Sequence, residues 1–306
     1  MGLANDLKDR LLIAVPKKGR LHERCVQLLR SSDIQFERQP HQDIALCTQL
    51  PMAVCFFQAK DIPGLVAEGM VDLGVTGQDG IAESEVAEKL RVVCELGMVN
   101  CRICVEIPSA EAQKLSGQEE KGEVLAGKRV ATSYVNITRR YFDEVDRRKG
   151  TQTEIKFLRG SVESACALGL ADGVVDLVES GDTMRAAGLE DIACLLTSQV
   201  VLIQSQTPHP RCIKYAPLIA SRFLGVMRAT QALQCTFRVA SENLEAALAI
   251  LPDALVSDLK GGKWAGWHGI TAKIGKKEEA GVLDALERAG ARDVWVYPLA
   301  NCRAID

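Results

Sequence analysis

The sequence is poor in aromatic residues. Phe, Trp and Tyr make up 5% of its 306 residues, too few to build a stacking platform for single-stranded nucleic acid. Positive charge is not in excess: 37 Lys and Arg stand against 40 Asp and Glu, a formal net charge of −3. No global basic field attracts nucleic acid or an anionic lipid surface, so an anionic small ligand needs a local trap. No segment approaches the ~18 apolar residues of a membrane helix. The richest run, Met52 to Phe57, has the length of a strand. The opening MGLANDLKDR carries charges where a secretory signal needs an apolar stretch, and Asp6 stands where a myristoylation motif wants Ser or Thr. The four histidines offer no convincing His–carboxylate pair for acid–base chemistry. Internal repeats and low-complexity tracts are missing too.

Cysteine is plentiful, at eleven residues. The number is odd, no secretory signal is present, and most (Cys47, Cys55, Cys94, Cys166, Cys194) lie among aliphatic residues. A reducing cytosol is expected, with free thiols packed as small hydrophobes. Cys101 and Cys104 form a C-x-x-C without the second pair that structural zinc requires. With 47% hydrophobic and 25% charged residues, the chain reads as soluble, globular and cytoplasmic, with about two domains.

The early chain alternates strand and helix. Leu11–Val15 reads as a strand, followed by Lys17-Lys18-Gly19-Arg20 and a helix with Leu21, Cys25, Leu28 and Leu29 on one face. Strands are expected at 44–48, Met52–Phe57 and 71–76. A helix N-capped by Asp61 runs to about Gly69, and Gly77-Gln78-Asp79 forms a turn. A soft boundary lies at 108–127, where charged and small residues dominate. Then come strands at 128–132, 155–157, Gly173–Val178 and 200–204, with helices at 138–148, 162–168 and from Thr183. This βαβ rhythm predicts a mostly parallel sheet with its sites at strand C-termini. After about Gly225 the order becomes βαββαβ, a ferredoxin-like module with Ser241 as one helix cap.

The sharpest chemical feature is the run from Gly173 to Arg185. A buried strand leads into Ser180-Gly181-Asp182-Thr183 at a helix start. Unpaired amides beside the positive end of a helix form an anion site, and Gly181 permits close approach. Asp176 and Glu179 place carboxylates beside it, suited to ribose hydroxyls or Mg²⁺. Ser180 and Thr183 otherwise serve simply as caps. Lys17 and Arg20 stand at a strand end, ready for polyphosphate or merely solvated. Gly74, Thr76 and Gly77 form a second close-approach turn, and the turn at Thr132-Ser133-Tyr134 caps a helix or joins a site. Together they describe two lobes whose strand ends carry cations on one side and acids around a phosphate cradle on the other.

These residues resemble the long form of the ATP phosphoribosyltransferase family, the first enzyme of histidine biosynthesis. The family signature reads here Glu163, Gly169, Ala171, Val174, Asp176-Leu177 and Ser180-Gly181-Asp182-Thr183-Met184, without departure. Pro16-Lys17-Lys18-Gly19-Arg20-Leu21, Asp72 to Gly77 with Asp79, Cys101-Arg102 and Val130 to Tyr134 match as well. The resemblance implies a two-lobed, periplasmic-binding-protein-like catalytic region: lobe I over 1–105, completed by about 197–225, and lobe II over 106–196. A ferredoxin-like regulatory domain over 226–306 follows. It implies ATP and phosphoribosyl pyrophosphate as substrates, Mg²⁺ as cofactor, histidine as inhibitor and a homo-oligomer.

By the same resemblance, Glu179, Ser180, Gly181, Asp182, Thr183 and Met184 hold the sugar phosphate. Asp176 faces the ribose, directly or through Mg²⁺, and Lys17 and Arg20 meet pyrophosphate or ATP phosphates. Asp72, Gly74, Thr76, Gly77 and Asp79 line the nucleotide side. Arg102 belongs to the site wall, and Glu163 either contacts the nucleotide or braces the loop. In the C-terminal module Ser257 is the candidate histidine contact, although Leu255 and Asp258 depart from the family turn. A two-lobed anion-binding protein without catalysis is the rival from another class. A phosphoribosyltransferase of the orotate type is a second rival, disfavoured because Asp176 is followed by Leu177 and not by a second acid.

Overall fold

The computed structural model describes residues 6–39, 42–115 and 121–303. Residues 116–120 of the expected boundary lie outside them. The chain divides into two compact units, one of residues 1–26 and 35–217 and one of 27–34 and 218–306.

The first unit is built on one nine-stranded sheet. Its strands are β1 (Leu11–Pro16), β2 (Ile44–Leu46), β3 (Met52–Phe57), β4 (Leu73–Gly77), β5 (Leu90–Pro108), β6 (Arg129–Thr132), β7 (Glu154–Phe157), β8 (Gly173–Val178) and β9 (Leu189–Ser205), in the order β2-β3-β1-β4-β9-β5-β8-β6-β7. The expected parallel pairings occupy the two wings: β1 with β3 and β4, and β6 with β7 and β8. Between the wings, β9 runs antiparallel to β4 and to β5, and β5 antiparallel to β8. β1 and β3 are continuous apolar runs because both faces are covered.

The helices are α1 (Arg20–Ser31), α2 (Ile62–Ala67), α3 (Gln78–Glu83), α4 (Val135–Lys149), α5 (Asp182–Ala186) and α6 (Pro210–Thr230). Ala14, Ile62, Val66, Val201 and Ile203 form the core of one wing. Ile103, Val105, Val130, Ile137, Phe142 and Val175 form one face of the other wing. Cys104, Val162, Val174, Val178 and Met184 form its opposite face.

Several local expectations change. β5 reads LRVVCELGMVNCRICVEIP, with charged residues among the apolar ones, and its strand character was invisible to a search for apolar runs. Gly77 opens α3 directly as its N-cap, so no separate turn exists. Asp61 occupies the N-cap position of α2 without a side-chain cap bond. The helix expected at 162–168 is a single 3₁₀ turn, Val162–Ser164, and α5 starts one residue early and lasts only five residues.

The second unit contains β10 (Ala232–Ala240), α7 (Leu244–Ile250), β11 (Leu255–Asp258), β12 (Trp267–Gly275), α8 (Glu279–Arg288) and β13 (Arg292–Pro298). The sheet order is β11-β12-β10-β13 and every pairing is antiparallel, the ferredoxin-like arrangement. Strand alternation sends Leu233, Cys235, Phe237 and Val239 into one core with Ala247 and Leu286. Ser241 does not cap a helix; its hydroxyl donates to the Gly266 carbonyl. Among the described residues no helix is long and apolar enough to cross a membrane.

Candidate active site

A cavity of about 500 Å³ opens in the first unit where the wings meet, lined by Arg20, Thr76, Gly77, Asp79, Tyr134 and Glu179 among others. One wall is the β4–α3 elbow. Gly77 has extended backbone (φ −80°, ψ 152°), so α3 begins without an intervening loop. The Ser198 hydroxyl, fully buried on β9, donates to Asp79 Oδ1 at 2.6 Å and accepts from the Asp79 N–H at 2.9 Å. Gln199 N–H donates to Gln78 Oε1 at 3.2 Å. Thr76 is buried beneath this elbow.

The opposite wall comes from the ends of β6, β7 and β8, with Ser133, Tyr134, Phe157, Leu158 and Leu177. Ser133 donates to the Leu158 carbonyl at 2.8 Å, and buried Thr132 donates to Val175 O at 2.7 Å. Burial, reinforced by the carboxylates of Asp79 and Asp176, pushes the Tyr134 phenol well above its ordinary pKa and keeps it neutral. Arg20 Nη1 meets Glu179 Oε2 at 3.1 Å, so an expected cation and an expected acid pair directly at the cavity. Lys17 lies outside the lining, and its ammonium donates to Asp43 at 2.8 Å. That bond holds the Asp43 carboxyl below its ordinary range.

Two residues assigned to the nucleotide side do other work. Asp72 is buried and accepts from Leu12 N–H at 2.8 Å and from Arg211 Nε at 3.0 and 2.9 Å, so it braces the start of β1 against α6. At Gly74 a Cβ would lie 2.6 Å from Ile62 Cγ2 and 2.8 Å from Val66 Cγ2, so this glycine admits α2 to the sheet. Neither residue lines the cavity, and neither do Arg102, Glu163 or Asp176. Arg102 is ion-paired with Asp191 at 2.9 Å.

Asp176 sits half-buried on β8. Desolvation pushes its carboxyl pKa up, and Glu163 pushes it further. Its diagonal neighbour across the β5 ladder is Glu106, which is 2% exposed; burial, then Asp176, Asp191 and Glu163, raise that carboxyl to about 8. Glu106 was missed in the sequence because it interrupts an apolar run without any motif.

Past β8 the Ser180–Met184 loop turns on Gly181, whose φ of +77° suits glycine, and α5 begins. Ser180 donates to Asp182 Oδ2 at 2.6 Å, while Arg185 Nη2 donates to Ser180 O at 2.9 Å and to Asp182 Oδ1 at 2.6 Å. Thr183 is exposed and Met184 is anchored in the core below. These loop residues lie outside the cavity lining, which reaches only as far as Glu179.

The wings are joined by a contact that no motif announced. Glu83, at the end of α3, accepts the Asn136 and Ile137 N–H groups at 2.9 and 3.0 Å, and Asn136 Nδ2 donates to the Glu83 carbonyl at 2.8 Å. A carboxylate from one wing thus satisfies orphan amides at the N-terminus of α4 in the other.

In the second unit, Ser257 sits on the exposed edge strand β11 opposite Gly269. Asp258 faces His268 in register and pairs with its Nδ1 at 2.9 Å. Ser241 holds the other ring nitrogen at 2.9 Å.

The family model described as ATP phosphoribosyltransferase matches residues 58–220, and one described as HisG, C-terminal domain, matches 229–301. The chain belongs to the ATP phosphoribosyltransferase family. It is 42% identical to the ATP phosphoribosyltransferase of Yarrowia lipolytica over 306 residues, covering 99% of this chain and 100% of that one. Identity to the Saccharomyces cerevisiae ATP phosphoribosyltransferase is also 42%, over 308 residues and the same shares of the two chains. The fold resembles that of a Thermotoga maritima chain from an ATP phosphoribosyl transferase (HisG:HisZ) complex, with TM-score 0.55 and 24% identity, over 70% of this chain and 98% of that one. The family match spans the whole cavity lining except Arg20 and Leu21.

Proposed function

We propose that this cavity is where ATP and phosphoribosyl pyrophosphate react, with adenine N1 of ATP attacking C1′ of the ribose. The products are N1-(5-phosphoribosyl)-ATP and pyrophosphate, the first step of L-histidine biosynthesis. The observation that carries the reading is the convergence, in one cavity of a chain of this family, of the β4–α3 elbow with the ends of β6 and β8. The chemistry asks for positioning and charge control. Adenine N1 already has a lone pair, so no strong general base is required for attack. Leu21, Phe157 and Leu177 supply apolar walls for a base, and Arg20 supplies a cation.

In this reading the Ser180–Met184 loop holds the 5-phosphate through its amides and the hydroxyls of Ser180 and Thr183, with Glu179 at the entrance. Lys17 and Arg20 exchange their partners Asp43 and Glu179 for substrate phosphate. Thr76, Gly77 and Asp79 line the nucleotide side, with Arg102 and Glu163 behind the wall, while Asp72 and Gly74 act through the scaffold. Lobe I is 1–105 with 197–225, and lobe II is 106–196.

The donor set fits Mg²⁺ carried by substrate. Among the described residues no three His, Cys, Asp or Glu side chains converge as a cage, and Mg²⁺ commonly takes one or two carboxylates plus substrate phosphates. Asp176 would hold it, through the ribose hydroxyls or water. When bound, the ion supplies positive charge to the departing pyrophosphate. The C-terminal module binds histidine as feedback inhibitor, with Ser257 as a contact, and copies of the chain assemble into a homo-oligomer.

The test is absorbance at the product band of N1-substituted ATP, with ATP, phosphoribosyl pyrophosphate, Mg²⁺ and pyrophosphatase, with and without histidine. Signal growth suppressed by histidine supports both parts. Growth indifferent to histidine removes the regulatory role. No growth, with both substrates bound, favours the anion-binding protein. Thr183→Val should raise KM for phosphoribosyl pyrophosphate at least tenfold with the melting temperature unchanged; unaltered kinetics would remove Thr183 from the phosphate site.

A further inference from the structure

The C-x-x-C of the sequence is not a thiol pair. Cys101 and Cys104 lie three residues apart on β5, where side chains alternate between faces. Cys101 lines the cavity and donates to Ser198 O at 3.7 Å, whereas Cys104 packs on the opposite face with Val174 and Val178.

The partner that the fold provides for Cys104 is Cys194. β5 and β9 change register just here: Ile103 faces Leu196, but Cys104 faces Cys194, so Leu195 is the extra residue of a bulge. The bulge brings a thiol opposite Cys104 in place of a leucine. Directly opposed antiparallel residues have Cα atoms about 4.5–5.5 Å apart, inside the roughly 4.4–6.8 Å a disulfide requires. Both cysteines are free; Cys104 is fully buried and Cys194 is exposed.

We propose that Cys104 and Cys194 form a reversible oxidation site, with Cys194 as the thiol that meets a peroxide and Cys104 as the thiol that resolves it. The Cys194 thiolate attacks one oxygen of hydrogen peroxide and the O–O bond breaks. Cys194 becomes a sulfenic acid, and the departing hydroxide takes up the proton the thiol released, giving water. The Cys104 sulfur then displaces the sulfenic hydroxyl, which leaves with the Cys104 proton as a second water, and the S–S bond closes. Two thiols have lost two electrons and the peroxide has gained them. The division of labour follows from exposure. Burial holds the Cys104 thiol up to about 12 and makes it a poor first nucleophile. The Arg102 guanidinium works against that rise at Cys104, and Asp191 adds to it. Asp176 is Cys104's register partner on β8, so the bridge would form one strand away from the carboxylate assigned to the ribose.

Trypsin isolates the two cysteines on separate peptides, 103–114 and 186–211, while Cys101 goes with Cys94 on 92–102. The full chain is treated with hydrogen peroxide, quenched with an alkylating agent, unfolded, digested without reductant and weighed. The expected product is 103–114 joined to 186–211, with two of the eleven thiols lost to alkylation and both recovered after dithiothreitol. Cys194→Ser should abolish the linked peptide and that loss; being exposed, this position is safe for the fold. In Cys104→Ser, dimedone should label Cys194. The proposal is overturned if peroxide carries Cys194 to sulfinic acid with Cys104 still alkylated, or if Cys104 bridges to any other cysteine.

Discussion

At the scale of single residues, environment separates charged groups that the sequence treats alike. Asp43 and Asp72 each face a cation, but Asp43 is half-exposed while the Asp72 side chain retains 2% of its surface. Exposed pairs contribute little, whereas removing one partner of a buried pair strands the other. Asp72→Ala should therefore lower unfolding stability by about 3 kcal/mol, read as a shift in urea midpoint. Asp43→Ala should leave the midpoint nearly where it is. Glu106 carries a pH signature. Its carboxyl, raised from 4.5 to about 8, keeps in the folded state a proton that the unfolded chain releases. Stability from this group is full below about 4.5 and is lost as pH rises toward 8. Urea midpoints taken from pH 5 to 8 should fall more steeply for the native chain than for Glu106→Gln; equal slopes would remove the buried proton.

At the scale of elements, the sequence reports what repeats locally. The apolar runs of β1, β3 and β8 were legible because full burial writes an unbroken hydrophobic stretch. β5 was not legible, because it crosses the middle of the sheet with exposed positions along much of its length. The 3₁₀ turn at Val162–Ser164 carries apolar spacing that would suit a longer helix; Gly169, at φ +70°, turns the chain toward β8. α4 starts without a side-chain cap of its own. Its cap comes from Glu83, which lies 53 residues earlier than Asn136. Glu83→Ala should cost about 1–2 kcal/mol, the worth of a lost N-cap. Hydrogen exchange localises the effect: the Asn136 and Ile137 amides should lose protection first, while those of β1 keep theirs.

At the scale of the whole molecule, the two units have separate core clusters, and the sheet of the second packs around Phe237, which is fully buried. Phe237→Ala should cost that unit about 3–5 kcal/mol. If histidine acts there, product formation should continue in the variant while its suppression by histidine is lost. Loss of product formation itself would make the second unit a structural requirement for catalysis. The Asp258–His268 pair belongs to this scale too: the two face each other because β11 and β12 pair in that register.

The sequence by itself determined the family, the wings of the sheet and the ferredoxin-like order of the second unit. Each of these is written in contiguous stretches: periodicity within elements, and a signature confined to Glu163–Met184. Only the tertiary structure decided which partner each reactive side chain meets. Arg20 reaches Glu179 across 159 residues, and Asp72 reaches Arg211 across 139. Cys104 faces Cys194 because a single bulge shifts the register. Charge and reactivity belong to a residue's covalent structure, but burial and ion pairing are set by what the fold brings within a few ångströms.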